Sequence, residues 1–198
     1  MNLMHLFKQG GLVMYPLAIL SFVALAIFFE RMLYFRGIDT DSSRLQKLLE
    51  YIAAQDKEGV SGMAKEKASD AVVLVQSYLT SEQEQQDKVQ NLETQIGFKS
   101  MGYNENLAFL SIIITLAPLL GLLGTILGII SSFKVFDLQN GANQFAITSG
   151  VGEALIATAF GLIVAMFALV LYGILKYQIG KLDKKLALCC VSLLASKR

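Results

Sequence analysis

Residues 107–133 read LAFLSIIITLAPLLGLLGTILGIISSF, 27 consecutive positions without a charged side chain. A helix needs roughly 20 apolar residues to cross about 30 Å of hydrocarbon, so this stretch predicts a membrane-spanning helix. Two other stretches meet the same requirement. Residues 11–29 are uncharged and are closed by Glu30 and Arg31, with Pro16 near enough to the start of the run to be tolerated. Residues 154–175 are uncharged, with Glu153 just before them and Lys176 just after.

Working outward, the 198-residue chain is 54% hydrophobic and 17% charged, with mean hydropathy +0.53. Soluble domains average about 25% charged residues. The charges are unevenly placed: residues 37–105 carry 12 acidic and 7 basic side chains. The composition therefore describes three apolar spans and a polar insert. A net charge of +1 without a basic stripe excludes nucleic-acid binding as a main activity. Cys189 and Cys190 are adjacent, there is no CxxC, and His5 is the single histidine. That pattern offers no metal spacing, redox pair or nucleophile–base pair, so neither an enzyme nor a cofactor is expected. The first apolar run lacks a small-x-small cleavage site and reads as an uncleaved helix rather than a signal peptide.

Lys and Arg near the span ends set the expected orientation. Arg31 and Arg36 follow the first span, Lys99 precedes the second, and Lys176, Lys181, Lys184 and Lys185 follow the third. Only Lys8 and Lys134 lie on the other side. The expected fold is an all-α membrane protein of three transmembrane helices with long cytoplasmic helical extensions, the N-terminus outside and the C-terminus cytoplasmic. The domains expected are 1–36, the N-terminus and first span; 37–105, a cytoplasmic helical insert; 106–178, the second and third spans; and 179–198, a cytoplasmic C-terminal helix. Within the insert, short helices are expected around 43–54 and 63–79, split by Gly59-Val60-Ser61-Gly62. Ser81 to Glu84 fits a capping box opening a helix that runs without proline to Pro118. Carried to Phe133, that helix would cover 52 residues, with Gly97 and Gly102 as weak points. Past the third span, Leu175, Ile179, Leu182, Leu186, Cys189 and Leu193 recur at alternating four and three, a coiled-coil-like seam with lysines beside it.

Small residues mark close helix contacts in lipid, where the hydrophobic drive for association is weak. The second span carries Gly121, Gly124 and Gly128; the third carries Ala157, Gly161 and Ala165 at i, i+4 spacing. Ser111, Thr125 and Ser132 fall on one side of the second span. Thr125 lies 18 residues after Leu107 and Thr158 lies 18 before Lys176, each about 27 Å along its helix, so the two threonines are expected at similar height. Glu153 stands at the outer boundary of the third span, about 140° of helical rotation from Thr158. An acid at membrane depth is costly and marks an ion pathway or a buried partner. No charged residue lies at the centre of any span, so a conducting path needs a carrier from a partner.

The motifs PLLGLLGTILG at 118–128 and GEALIATAFGL at 152–162 resemble the two signature helices of the MotA/TolQ/ExbB proton-channel family. MYPL at 14–17 with Glu30 and Arg31 resembles the ExbB/TolQ first helix. Three spans with an insert after the first are similar to ExbB and TolQ, whereas MotA proteins have four. The resemblance implies a bacterial inner-membrane motor subunit: a homopentamer in the bilayer around an ExbD/TolR-like single-span partner whose membrane aspartate carries the proton, passing work to a TonB- or TolA-like protein. By position it implies pore-lining or relay roles for Thr125 and Thr158 and a relay or subunit contact for Glu153. A non-conducting scaffold of the same architecture and a Na⁺-driven relative are the alternatives.

Overall fold

The computed structural model describes residues 10–82, 84–138 and 144–196. His5, Lys8 and residues 139–143 of the loop between the second and third spans lie outside the described residues. The described chain is all-α: α1 (Met14–Ile38), α2 (Ser42–Ala54), α3 (Lys57–Glu66), α4 (Asp70–Thr80), α5 (Gln85–Asn104), α6 (Leu107–Leu138) and α7 (Gln144–Ala195). Three helices are long and apolar enough to cross a membrane, and they take in the three apolar stretches read from the sequence except residues 11–13, which precede the first helix. This is a multi-pass membrane protein.

α1 begins after Gly11, whose φ of 71° lies in the left-handed region that glycine adopts without a Cβ penalty. Pro16 falls in the first turn, where its missing N–H removes no helical bond. The helix passes without interruption through Glu30 and Arg31 to Ile38. Its apolar side chains are divided: Leu17 and Ala24 are buried, whereas Ile19, Phe22 and Phe29 point outward, the exposure expected of a helix bathed in lipid.

The insert departs from expectation at two places. Gly59 and Gly62 do not split two helices; both sit inside α3. Asp56 caps that helix, its carboxylate accepting from the Gly59 backbone N–H at 2.9 Å. A Cβ on Gly59 would stand 2.9 Å from the Tyr51 ring, so glycine here serves close packing, and the break falls instead before Ser69. Ser81 to Glu84 does not form a capping box either. Ser81 closes α4 through its backbone N–H to the Ser77 carbonyl, and α5 starts at Gln85 with no side-chain cap.

The expected 52-residue helix is broken at Glu105 and Asn106, and Gly97 and Gly102 both lie inside α5. Asn106 takes φ 63°, a conformation that Asn tolerates better than most non-glycine residues. The uninterrupted 52-residue helix is α7, about 78 Å at 1.5 Å per residue.

The chain divides into two compact units, one formed by the stretch up to Phe29 with Asn106–Gly173, the other by Glu30–Glu105 with Ile174–Arg198. The second unit buries Leu48, Ile52, Leu74, Val75, Leu92 and Tyr103. Leu175, Ile179, Leu182, Leu186, Cys189 and Leu193 of α7 are all buried with them. The coiled-coil-like seam is therefore spent inside the unit. Polar locks surround this core. Asp70 accepts from the Tyr103 hydroxyl at 2.7 Å and pairs with Lys99. Thr40 donates to Ser69 at 2.7 Å, and Lys185 binds Asp39 and the Thr40 carbonyl.

Candidate functional site

In the first unit α6 and α7 meet along a line of small residues. A Cβ on Gly161 would stand 2.7 Å from the Ala117 carbonyl oxygen and 3.0 Å from the Gly121 Cα. A Cβ on Gly121 would stand 3.1 Å from the Thr158 Cα. Further along, Gly124 lies against Ala157 and Gly128 against Ala154, each so close that an added Cβ would be under 3.0 Å from the alanine methyl. Backbone touches backbone here. Ala154, Ala157, Ala165 and Ala168 are buried along the same side of α7.

The two threonines sit beside this seam and bond differently. Thr158 donates its hydroxyl across the seam to the Gly121 carbonyl at 2.9 Å. Threonines in spans commonly return the hydroxyl to their own helix, and Thr125 does so, donating to Leu122 at 2.6 Å. Thr158 lies opposite Gly121, while Thr125 lies between the Gly124–Ala157 and Gly128–Ala154 contacts, four residues from Gly121 or about 6 Å further along α6. The hydroxyls share no partner. Of the other hydroxyls on α6, Thr115 donates to the Ser111 carbonyl, and buried Ser132 to that of Gly128 at 2.8 Å.

Glu153 projects from the opposite end of the seam. It is exposed, and its carboxylate comes within 3.8 Å of where a Gly11 Cβ would stand. Gly11, Val13, Gly128, Ser131, Ser132 and Glu153 border a cavity of about 460 Å³. Among the described residues that line it, Glu153 is the only charged group. Among the described residues no cluster of His, Cys, Asp or Glu has metal-binding geometry.

Sequence reasoning missed Arg31 as more than an orientation signal. It is 3% exposed. Its guanidinium donates to the Gly102 carbonyl at 3.0 Å and reaches Glu105 at 3.4 Å, and its Nε lies 2.9 Å from Glu30 in an ion-pair contact outside hydrogen-bond geometry. A second cation serves the same helix end: Lys176 donates to Asn104 at 3.0 Å. The last turn of α5 leaves carbonyls without helical partners, and cations favour that negative end. The available signal was a Glu30-Arg31 pair directly after an apolar run.

Residues 56–187 match the MotA/TolQ/ExbB proton channel family. The chain belongs to that family. Among curated relatives, an ExbB-like biopolymer transport protein of Synechocystis is 33% identical over 181 residues, covering 88% of this chain and 70% of the relative. The biopolymer transport protein ExbB of Salmonella typhimurium is 28% identical over 178 residues, 85% of this chain and 73% of its own. The Tol-Pal system protein TolQ of Haemophilus influenzae is 33% identical over 76 residues, 38% of this chain and 33% of its own. Within the MotA/TolQ/ExbB family the chain is thus most like ExbB and TolQ. The seam, both threonines and Glu153 all fall within the matched residues.

Proposed function

We propose that this chain is the inner-membrane subunit of a proton-motive-force-driven motor, assembling as a pentamer around a single-span partner of the ExbD/TolR type and energising outer-membrane transport or envelope integrity. The observation that carries the reading is the Thr158 hydroxyl bonded to Gly121 across the glycine–alanine seam, in helices whose residues 107–133 and 154–175 contain no titratable carboxylate or amine. A hydroxyl both donates and accepts, so Thr158 and Thr125 supply polar lining without holding a charge, and the proton resides on the partner's membrane aspartate. Glu153, beside a cavity that has room for water, serves as relay or subunit contact at one end of the path. The partner's outer domain then passes work to a TonB- or TolA-like protein. In this reading the N-terminus is outside and the insert cytoplasmic, as the lysines and arginines at the span ends suggest.

Proton flux into liposomes holding this chain with its single-span partner tests the reading. Flux above the chain alone is expected, falling to background in Thr158→Val and in Glu153→Gln while both variants still assemble. Wild-type flux in both variants would remove these residues from the pathway. Background flux from the unmodified complex would make the assembly a scaffold, and flux that follows Na⁺ rather than H⁺ would change the ion.

A further inference from the structure

Around α6 the side chains fall into three strips. The first is the seam, with Ala117, Gly121, Gly124 and Gly128 turned to α7. At 100° of rotation per residue, Ser111, Thr115 and Thr125 lie within about 80° of one another in a second strip beside it. The rest of the outward surface is different. Phe109, Ile112, Leu116, Leu119, Leu123 and Ile130 are all exposed there, and between Leu107 and Phe133 this third strip, about 120° wide, holds no polar side chain.

Leucine, isoleucine and phenylalanine suit lipid tails; the hydroxyl strip does not. Ser111 is exposed, and its hydroxyl has no hydrogen-bond partner among the described residues. It stands about 6 Å along α6 from Leu107, and Thr115 about 12 Å, inside a hydrocarbon layer of about 30 Å where an unpaired hydroxyl is costly. Thr115 is exposed as well. Its hydroxyl donates to the Ser111 carbonyl at 3.2 Å, and the oxygen can still accept. Pro118 falls in the same strip, inside the helix, and has no N–H to give the Ile114 carbonyl its helical bond. Within membranes such a carbonyl is satisfied by a neighbouring helix, a hydroxyl or water. Polar groups therefore gather on one strip of α6 between its Leu107 end and Thr125.

We propose that Ser111 and Thr115 line the stretch of the proton path between the partner's carboxyl and the cytoplasm, holding its water together with the Ile114 carbonyl. The carboxyl gives its proton to that water. Hydroxyls donate and accept alike, so each orients a water molecule and ends the transfer uncharged. Ser111 and Thr115 are thus positioning residues and bind no proton themselves. Thr125, about 15 Å beyond Thr115, continues the same strip toward the other side of the membrane. The inference rests on the proton path and the orientation proposed in the preceding section, and it adds the residues of the path's inner half.

Ser111→Cys, Thr115→Cys, Ile112→Cys and Leu116→Cys are placed one at a time in the full chain carrying Cys189→Ala and Cys190→Ala, coexpressed with the single-span partner. Inverted membrane vesicles, whose cytoplasmic face is outward, are treated with a small cationic methanethiosulfonate that does not cross lipid. Thiols at 111 and 115 are expected to react about tenfold faster than those at 112 and 116, because the reactive thiolate forms in water and is suppressed in apolar surroundings. In liposomes, Ser111→Ala with Thr115→Val is expected to lower proton flux about fivefold, the equivalent of one lost hydrogen bond, with assembly unchanged. Thr115→Ser in place of Thr115→Val should restore most of it, since the hydroxyl returns. Equal reaction at all four positions, faster reaction at 112 and 116, or wild-type flux in the double variant overturns the inner strip and leaves the roles of Thr158 and Glu153 standing. Background flux from the unmodified complex overturns the proton path itself, whatever the thiols show.

Discussion

The two units are held together by opposite means. Where α6 and α7 meet, contact comes from what is missing: Gly121, Gly124, Gly128 and Gly161 have no side chain, and the backbones close to distances a methyl group would prevent. In the other unit, buried leucines and isoleucines fill the centre, and Asp70, Lys99, Tyr103, Arg31 and Lys185 tie the edges. The difference follows from the surroundings each composition suits. In lipid a leucine gains little by leaving the solvent, so dispersion and close approach decide. A segment with 12 acids and 7 bases has water as its alternative, and there apolar burial drives folding while polar groups need partners.

The sharpest way to break this contrast is Gly161→Leu. Its side chain has no space in front of the Ala117 carbonyl, and a loss of about 3 kcal/mol or more is expected, at the upper end for overpacking. Thermal unfolding in detergent measures it, and Gly173→Leu, where an added Cβ meets nothing within 4 Å, serves as the comparison that should leave the midpoint nearly unchanged. Equal losses at both positions would mean the seam is not special.

Asp70→Ala probes the other unit. It strands the Tyr103 hydroxyl and the Lys99 ammonium together, an expected loss of about 2–3 kcal/mol by the cost of unpaired, partly buried polar groups. Protection of the α4 and α5 amides in hydrogen exchange should fall, with the α6–α7 seam unaffected.

Thr158→Val should cost less, about 1 kcal/mol, in the range measured for hydrogen bonds between membrane helices, because the Gly121 carbonyl keeps its helical partner. Stability and proposed flux then separate: a large stability loss would make Thr158 mainly structural.

The smallest effect concerns pH. Tyr103 lies four residues before the second apolar span, and burial first, then its bond to Asp70, push its hydroxyl well above the usual tyrosine value. The folded state therefore keeps a proton that the unfolded chain releases above about pH 10. Stability from this group is complete below pH 10 and declines as pH rises beyond it. Tyr103→Phe should flatten that decline, read from unfolding midpoints between pH 9 and 11.

The spans were legible because 27 uncharged residues in a row have one physical reading, and the small-residue stripe because i, i+4 spacing places Ala157, Gly161 and Ala165 on one side whatever the fold. The α7 seam was equally open to inspection. The break at Asn106 was not: glycine is the expected weak point, yet Gly97 and Gly102 stay helical while Arg31, 71 positions earlier, secures the turn beside the break. The Asp70–Tyr103 bond joins residues 33 apart, and no local pattern announces it. Glycine also misled at 59–62, where absence of a side chain serves packing against Tyr51 and not chain reversal. For the threonines, helical arithmetic gave their approximate level, but which carbonyl each hydroxyl chooses depends on the neighbouring helix.

The glycine–alanine seam has a consequence for entropy. Folding normally immobilises side chains at up to about 2 kcal/mol each for long ones, whereas glycine and alanine have no rotamers to lose. Once α6 and α7 exist as helices, closing them along Gly121, Gly124, Gly128, Ala154, Ala157 and Gly161 freezes almost nothing further. The join also has no side chain that can swing aside to accept a neighbouring register, so it is either seated or apart.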